Sequence, residues 1–203
     1  MIEVHHLSES RSRRITWLLE ELGEDYTVTQ YQRNPQTRLA PPELMAVHPL
    51  GKAPVLRDGE QVLIESGAII DYLVRNYGKG RFAPAMDSPA YNRYVQFLHY
   101  GEGSAMLPLL LKLYVGRLGD AGAPLHPRIQ SEIQNHMGWL DRELAGKDYF
   151  VGDSLTGADV QLSFVAQSAI KSGGAAAHPN LARFVAMVEA RPAYQRAVSR
   201  WGV

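Results

Sequence analysis

Apolar and polar positions fall into two regimes along the chain. In the first third, short apolar runs of strand length alternate with helical faces. Ile2 to Leu7 is a run suited to a central strand. Ile15, Leu18, Leu19 and Leu22 then fall at i, i+3, i+4 and i+7, and Gly23 closes that helix. Residues 25–31 read as a second strand, so 2–31 form a β-α-β unit. Residues 34–42 carry Pro35, Pro41 and Pro42 and read as loop, followed by a short helix over 42–47. Val55-Leu56-Arg57 is a short β-type run, Asp58-Gly59 signals a two-residue turn, and 61–64 is the returning strand. Ser66 is a good N-cap for a helix whose apolar face is Ile69, Ile70, Leu73, Val74 and Tyr77. The predicted order is β-α-β-α-β-β-α.

Beyond that point only helical spacing remains. Residues 78–87 carry Gly78, Gly80 and Pro84 and read as a linker. Ser88-Pro89 places an N-cap before a proline at the first helical position. Helical character runs on to about Leu118, with Gly101, Gly103 and Pro108 inside it, and Pro108 is expected to kink it. A loop over 119–124 leads to a helix over 127–144, buried along Ile133, Met137, Leu140 and Leu144. Thr156 and Asp159 form a capping-box variant ahead of a helix that reaches Ile170. A helix from His178 to Arg191 and a short final one over 193–199 complete the pattern. The domains expected are 1–77 (α/β), 78–87 (linker) and 88–203 (all-α).

Composition narrows the function. The chain has 203 residues, 45% of them hydrophobic, enough for a substantial core. Its 21 basic and 21 acidic residues balance, which argues against nucleic acid or an anionic membrane surface as partner. No apolar run approaches the ~20 residues of a membrane-spanning helix. The opening MIEVHHLSES has no signal-peptide apolar core, so a cytoplasmic protein is expected. The chain lacks cysteine, which excludes disulfides, thiolate metal sites and a cysteine nucleophile. His5 and His6 are adjacent on a strand, point to opposite faces and make a poor metal pair, so no metal is expected.

The chemistry concentrates between Gly51 and Tyr72. Pro54 lacks an N–H and sits awkwardly at the start of a paired strand. A cis Ala53–Pro54 bond accommodates it and turns the Ala53 backbone outward. Lys52 then supplies a cation, Ala53 free backbone groups, Glu65 a carboxylate, and Ser66 a hydroxyl at a helix N-terminus. Such an array suits a small zwitterionic peptide, with a carboxylate at the helix end and an ammonium on Glu65. An ordinary hairpin and capped helix is the plainer alternative. Arg11, Arg13 and Arg14 crowd the first turn of the first helix, where the macrodipole disfavours cations by roughly 0.3–1 kcal/mol each. They are either three solvated arginines or, as a group, partners of an anionic ligand.

Pro54 followed by Glu65-Ser66-Gly-Ala-Ile resembles the glutathione-binding half of the glutathione transferase superfamily, and the Thr156-x-x-Asp159 cap and the C-terminal helices match its second half. The similarity covers nearly the whole chain. The sequence LIESGAI looks closest to the bacterial and fungal serine- or asparagine-type branch. The resemblance implies an N-terminal thioredoxin-like domain and an all-α C-terminal domain that forms the co-substrate pocket and dimer contacts. It implies that the loop of Lys52, Ala53 and Pro54 and the Glu65-Ser66 pair bind glutathione, a substrate here.

Members of the family activate the glutathione thiol with a Tyr, Ser or Cys donor after the first strand. The tyrosine position falls near His6, and the serine position falls at Ser10, with Ser8, Arg11 and Ser12 as alternatives. A serine there is often only an N-cap, and Ser10 can do both. On the co-substrate side, His99, Tyr100, Ser104, Leu107 and Tyr114 are candidates for an apolar pocket, although this spacing also suits a helical core. The implied activity is conjugation of glutathione thiolate to small hydrophobic electrophiles in a homodimer, with peroxide reduction as a side activity. The alternative is a non-catalytic regulatory or partner-binding protein on the same fold.

Overall fold

A computed structural model describes residues 1–201. Contacts group the chain into two compact units, one of Met1–Arg81 with the segment from Glu189 onward, the other Phe82–Val188.

The first unit is built on a four-stranded sheet of order β2-β1-β3-β4. β1 (Ile2–Leu7) is central, parallel to β2 (Tyr26–Tyr31) and antiparallel to β3 (Val55–Asp58). β4 (Gln61–Leu63) closes a hairpin on β3. Asp58 pairs with Gln61, so the two-residue turn is Gly59-Glu60, one position later than expected. Gly59 sits there at φ +58°, which glycine adopts without a Cβ penalty. A central strand is covered on both faces, which is why β1 is buried almost without alternation and both His5 and His6 are enclosed.

Around the sheet lie α1 (Arg13–Leu22), α2 (Pro42–Val47) and α3 (Ser66–Tyr77). α1 ends as expected at Gly23, whose N–H returns to the Leu19 carbonyl. Its start lies later than the sequence implies. The N-cap position belongs to Ser12, and residues 8–12 form a turn. The first unit is completed by the last helix, α9 (Pro192–Trp201). Tyr194 packs edge-on against Trp17, Arg191 pairs with Glu21 at 2.6 Å, and Arg196 and Arg200 reach Glu20 at 2.9 and 2.8 Å. The sequence pattern groups this tail with the helical domain; its contacts group it with α1, because the complementary charges lie 170 residues and more apart in the chain and no local signal links them.

The second unit is helical: α4 (Pro89–Tyr100), α5 (Met106–Val115), α6 (His126–Glu143), α7 (Gly157–Ala169) and most of α8 (Pro179–Glu189). Its core joins Phe97, Trp139, Phe150 and Phe184. The interruption of the long helix falls at a π-helical segment, Gly101–Ala105, before Pro108. Pro108 thereby occupies the first turn of α5, where a missing N–H costs little. Gln161 packs close to Gly101: an added Cβ would lie 3.0 Å from the Gln161 Cγ, so this side chain would have to give way. The expected loop over 119–124 is part of a run of 3₁₀ turns, Gly116–Leu125, broken at Gly119. α7 starts on the predicted capping box, and Asp159 accepts from the Phe150 and Thr156 N–H groups at 2.8 and 2.7 Å and from the Thr156 hydroxyl at 2.8 Å. No helix among the described residues is long and apolar enough to cross a membrane.

Candidate active site

The C-terminal end of β1 is where the predicted site residues of the first unit meet. β1 runs out at Leu7 into the 8–12 turn, and α1 begins directly after it. Val55 pairs with His5, which sets Pro54 beside the same end of the strand. The Ala53–Pro54 bond is cis. Ala53 packs on the small cluster of Leu7, Leu44 and Val55, while Lys52 is exposed. Glu65 is exposed at φ +66° and occupies the N-cap position of α3, and Ser66 is the first helical residue, buried.

Arg14 joins the two halves of this arrangement. Its guanidinium donates to the Ser66 hydroxyl at 3.0 Å, although the two residues lie on different helices. Arg14 is 1% exposed, so the picture of three solvated arginines does not hold. Arg13 donates to the Tyr194 hydroxyl at 3.4 Å, and Arg11 is half-buried. Two helix N-termini and a buried cation thus lie at one sheet end, a setting that favours an anion.

Ser12, at the N-cap position, does not spend its hydroxyl on capping. Ser10 Oγ lies 2.6 Å from Ser12 Oγ and accepts the Ser12 N–H at 3.3 Å, and Ser12 Oγ lies 2.7 Å from His6 Nδ1. Ser12 is fully enclosed and Ser10 is 6% exposed. Burial, reinforced by the charge of Arg13, pulls the His6 pKa down to about 4, so its imidazole is neutral at physiological pH. Ser8 is engaged elsewhere: its hydroxyl oxygen accepts the Arg33 N–H at 3.3 Å. His5 bonds the Tyr31 hydroxyl at 2.9 Å on the other face of β1. Among the described residues no group of His, Cys, Asp or Glu is arranged to hold a metal.

Sequence reasoning placed His6 at the tyrosine position and Arg14 in a group suited to an anionic ligand, but missed the contacts of His6 with Ser12 and of Arg14 with Ser66. The available signal was the spacing His6-(x)₃-Ser10-x-Ser12-x-Arg14, which a turn between strand and helix folds into one place.

The co-substrate candidates all lie in the second unit. His99 ends α4 exposed, and Ser104 lies half-buried in the π segment. Leu107 and Tyr114 are 54% and 56% exposed on α5. Tyr100 is committed within its own unit: its hydroxyl meets His136 Nδ1 at 2.6 Å, its ring packs edge-on against Trp139, and burial raises its pKa.

Comparison with known proteins agrees with this geometry. Residues 1–75 match the family described as glutathione S-transferase, N-terminal domain, and residues 105–192 match glutathione S-transferase, C-terminal domain. Glutathione S-transferase 3 of Schizosaccharomyces pombe is 32% identical, over 98% of this chain and 88% of its own length. The chain belongs to the glutathione S-transferase family. A glutathione S-transferase from Actinobacillus pleuropneumoniae superposes with a TM-score of 0.90 at 40% identity, covering 98% of this chain and 92% of that one. A sphingomonad glutathione S-transferase, solved in complex with glutathione, shares the fold with a TM-score of 0.80 at 24% identity over 99% of both chains. For this transferase the family match covers both the sheet that carries the Ser10 turn and the helices that carry the capping box.

Proposed function

We propose that this glutathione transferase holds glutathione through Lys52, Ala53, Pro54, Glu65 and Ser66 and activates its thiol with the Ser10 hydroxyl. The observation that carries the reading is the buried Arg14–Ser66 bond, which fixes the N-terminus of α3 beside that of α1. Glu65 takes the ammonium of the γ-glutamyl group, Ser66 and the α3 end its carboxylate, and the Ala53 backbone the cysteinyl residue. The sulfur then falls to the turn before α1. A free thiol has a pKa of about 8.5, and a helix N-terminus with an O–H donor lowers it. Ser10 suits that role better than Ser8, whose oxygen is turned to the Arg33 backbone, or Ser12, which lies between His6 and Ser10 with no exposed surface; Ser10 ends that chain of contacts and keeps some surface exposed. The serine-type branch of the family follows from the same choice.

The reaction is attack of the thiolate sulfur on a small hydrophobic electrophile: a C–S bond forms and the leaving group departs with its electron pair. Peroxide reduction by the same thiolate is a side activity. His99, Ser104, Leu107 and Tyr114 contribute to the co-substrate side, while Tyr100 offers ring surface only, its hydroxyl being held by His136. A glutathione-binding domain over 1–77, completed by the last helix, a helical domain from 88 up to that segment, a homodimer and a cytoplasmic location complete the proposal.

Removing the charge-assisted bonds to the γ-glutamyl end is expected to cost on the order of 1.5–3 kcal/mol. Glu65→Ala and Ser66→Ala therefore weaken glutathione binding roughly 10- to 100-fold by calorimetry. Unchanged affinity in both variants would remove the assignment. Turnover of an aryl halide by the wild type, at saturating glutathione, separates the enzyme from a glutathione-binding regulator. Sedimentation at micromolar concentration is expected to give a dimer; a monomer alone rejects the assembly.

A further inference from the structure

We propose that His6 sets the direction of a hydrogen-bond relay, His6 Nδ1–Ser12 Oγ–Ser10 Oγ, so that the Ser10 proton is turned outward to the glutathione sulfur. The inference rests on the reading of Ser10 as the thiol's donor.

Two contacts define the relay, 2.7 Å from His6 Nδ1 to Ser12 Oγ and 2.6 Å from Ser12 Oγ to Ser10 Oγ. Each hydroxyl has one proton to give. With a proton on His6 Nδ1, the imidazole donates to Ser12, and Ser12 donates to Ser10. Ser10 Oγ already accepts the Ser12 backbone N–H at 3.3 Å, so both its acceptor positions are then filled. Its own O–H has nowhere to point within the relay and faces the ligand. With the proton on Nε2 the order reverses. Ser12 then donates to Nδ1, Ser10 donates to Ser12, and the sulfur loses its donor.

Either order makes three hydrogen bonds within the cluster, but only the outward order leaves the Ser10 O–H free, so a bound thiolate adds a fourth bond to that order alone at a site almost closed to water. His6 is also kept neutral by burial and by Arg13, so it neither adds a charge beside the thiolate nor acts as its base. The thiol proton leaves to solvent, and the relay only supplies a hydrogen bond to the sulfur that remains. His6 is a positioning residue, acting through Ser12 and Ser10.

The test combines tautomer and titration on the full chain. ¹⁵N-histidine NMR of the wild type with bound glutathione is expected to show His6 protonated on Nδ1; an Nε2–H form overturns the relay. The pKa of bound glutathione is read from thiolate absorbance in Ser10→Ala, Ser12→Ala, His6→Leu and His6→Asn. Each unit of lost depression removes tenfold of the thiolate near neutral pH. Ser12→Ala and His6→Leu are expected to raise the thiol pKa by about one unit and lower kcat about tenfold at pH 7. Glutathione affinity stays within about twofold, because the γ-glutamyl contacts are untouched. His6→Asn restores the wild-type titration, since its amide N–H replaces the Nδ1 donor.

A raised pKa in Ser10→Ala with none in His6→Leu or Ser12→Ala defeats the relay and leaves Ser10 as donor. No change in Ser10→Ala defeats the underlying reading instead. If His6→Leu does not fold, the Ser12→Ala titration and the wild-type tautomer still decide.

Discussion

Asp159→Ala is expected to destabilise the second unit by about 3–5 kcal/mol, because it strips partners from three buried donors at about 1–3 kcal/mol each, with local relaxation recovering part. The carboxylate is fully enclosed and receives the Phe150 N–H, the Thr156 N–H and the Thr156 hydroxyl. It therefore ties the 150–156 turn to the start of α7 as well as capping the helix. Asp159→Asn keeps one acceptor oxygen and should recover part of the loss. Denaturant unfolding of the three proteins checks this, and an alanine variant within 0.5 kcal/mol of wild type would contradict it. The pH dependence has a defined sign. Burial outweighs the hydrogen bonds and raises the Asp159 pKa from 3.8 to about 6. The folded state thus binds the proton more tightly than the unfolded chain, and this group's contribution declines as pH rises from about 4 to about 6.

Glu20→Ala carries the second large effect, this time in the first unit. Glu20 is nearly enclosed and accepts from Tyr26 at 2.9 Å, Arg196 at 2.9 Å and Arg200 at 2.8 Å. Removing one member of a buried ion pair costs roughly 3–5 kcal/mol. Here both arginines are 53% exposed and regain water, so about 2–3 kcal/mol is expected. Limited proteolysis should cut between Glu189 and Trp201 in the variant first, and equal resistance in variant and wild type would count against the docking role. Burial alone would raise the Glu20 pKa, but its bonds to Arg196, Tyr26 and Arg200 overcome this and lower it. Its contribution is present above the ordinary glutamate value of 4.5 and is lost as pH falls below it, the opposite slope to Asp159.

These two carboxylates also mark what a sequence can reveal. The Thr156-Asp159 cap was legible because its partners lie three residues apart and the spacing has one physical use. The strands, the hairpin and the third helix were legible because period and turn residues are local, although the turn and the N-cap each fall one residue from the reading, at Gly59-Glu60 and at Glu65 in place of Ser66. Glu20 and its arginines are 176 and 180 residues apart, and nothing local announces such a pair. The π segment escaped because Pro108 does explain a kink, yet the interruption lies upstream at Gly101–Ala105 and leaves Pro108 in the first turn of α5. In the site, Lys52, Pro54, Glu65 and Ser66 were readable as residue types that suit a peptide ligand. The burial of Arg14 was not, since arginine is ordinarily solvated and only its bond to Ser66 justifies enclosing it.

The docking of α9 on α1 makes the first unit discontinuous, and this bears on how the protein is born. A ribosome delivers residues in order, and domains of a nascent chain commonly fold as they emerge. Here the sheet and α1 to α3 leave the tunnel first, but the face of α1 that carries Trp17, Glu20 and Glu21 meets its partners only after Arg191, Tyr194, Arg196 and Arg200 have followed. Between those moments more than 100 residues of helical unit are synthesised. This face of α1 is thus made before the helical unit and closed after it, and an indole and two carboxylates stay open to water or chaperones until α9 has emerged.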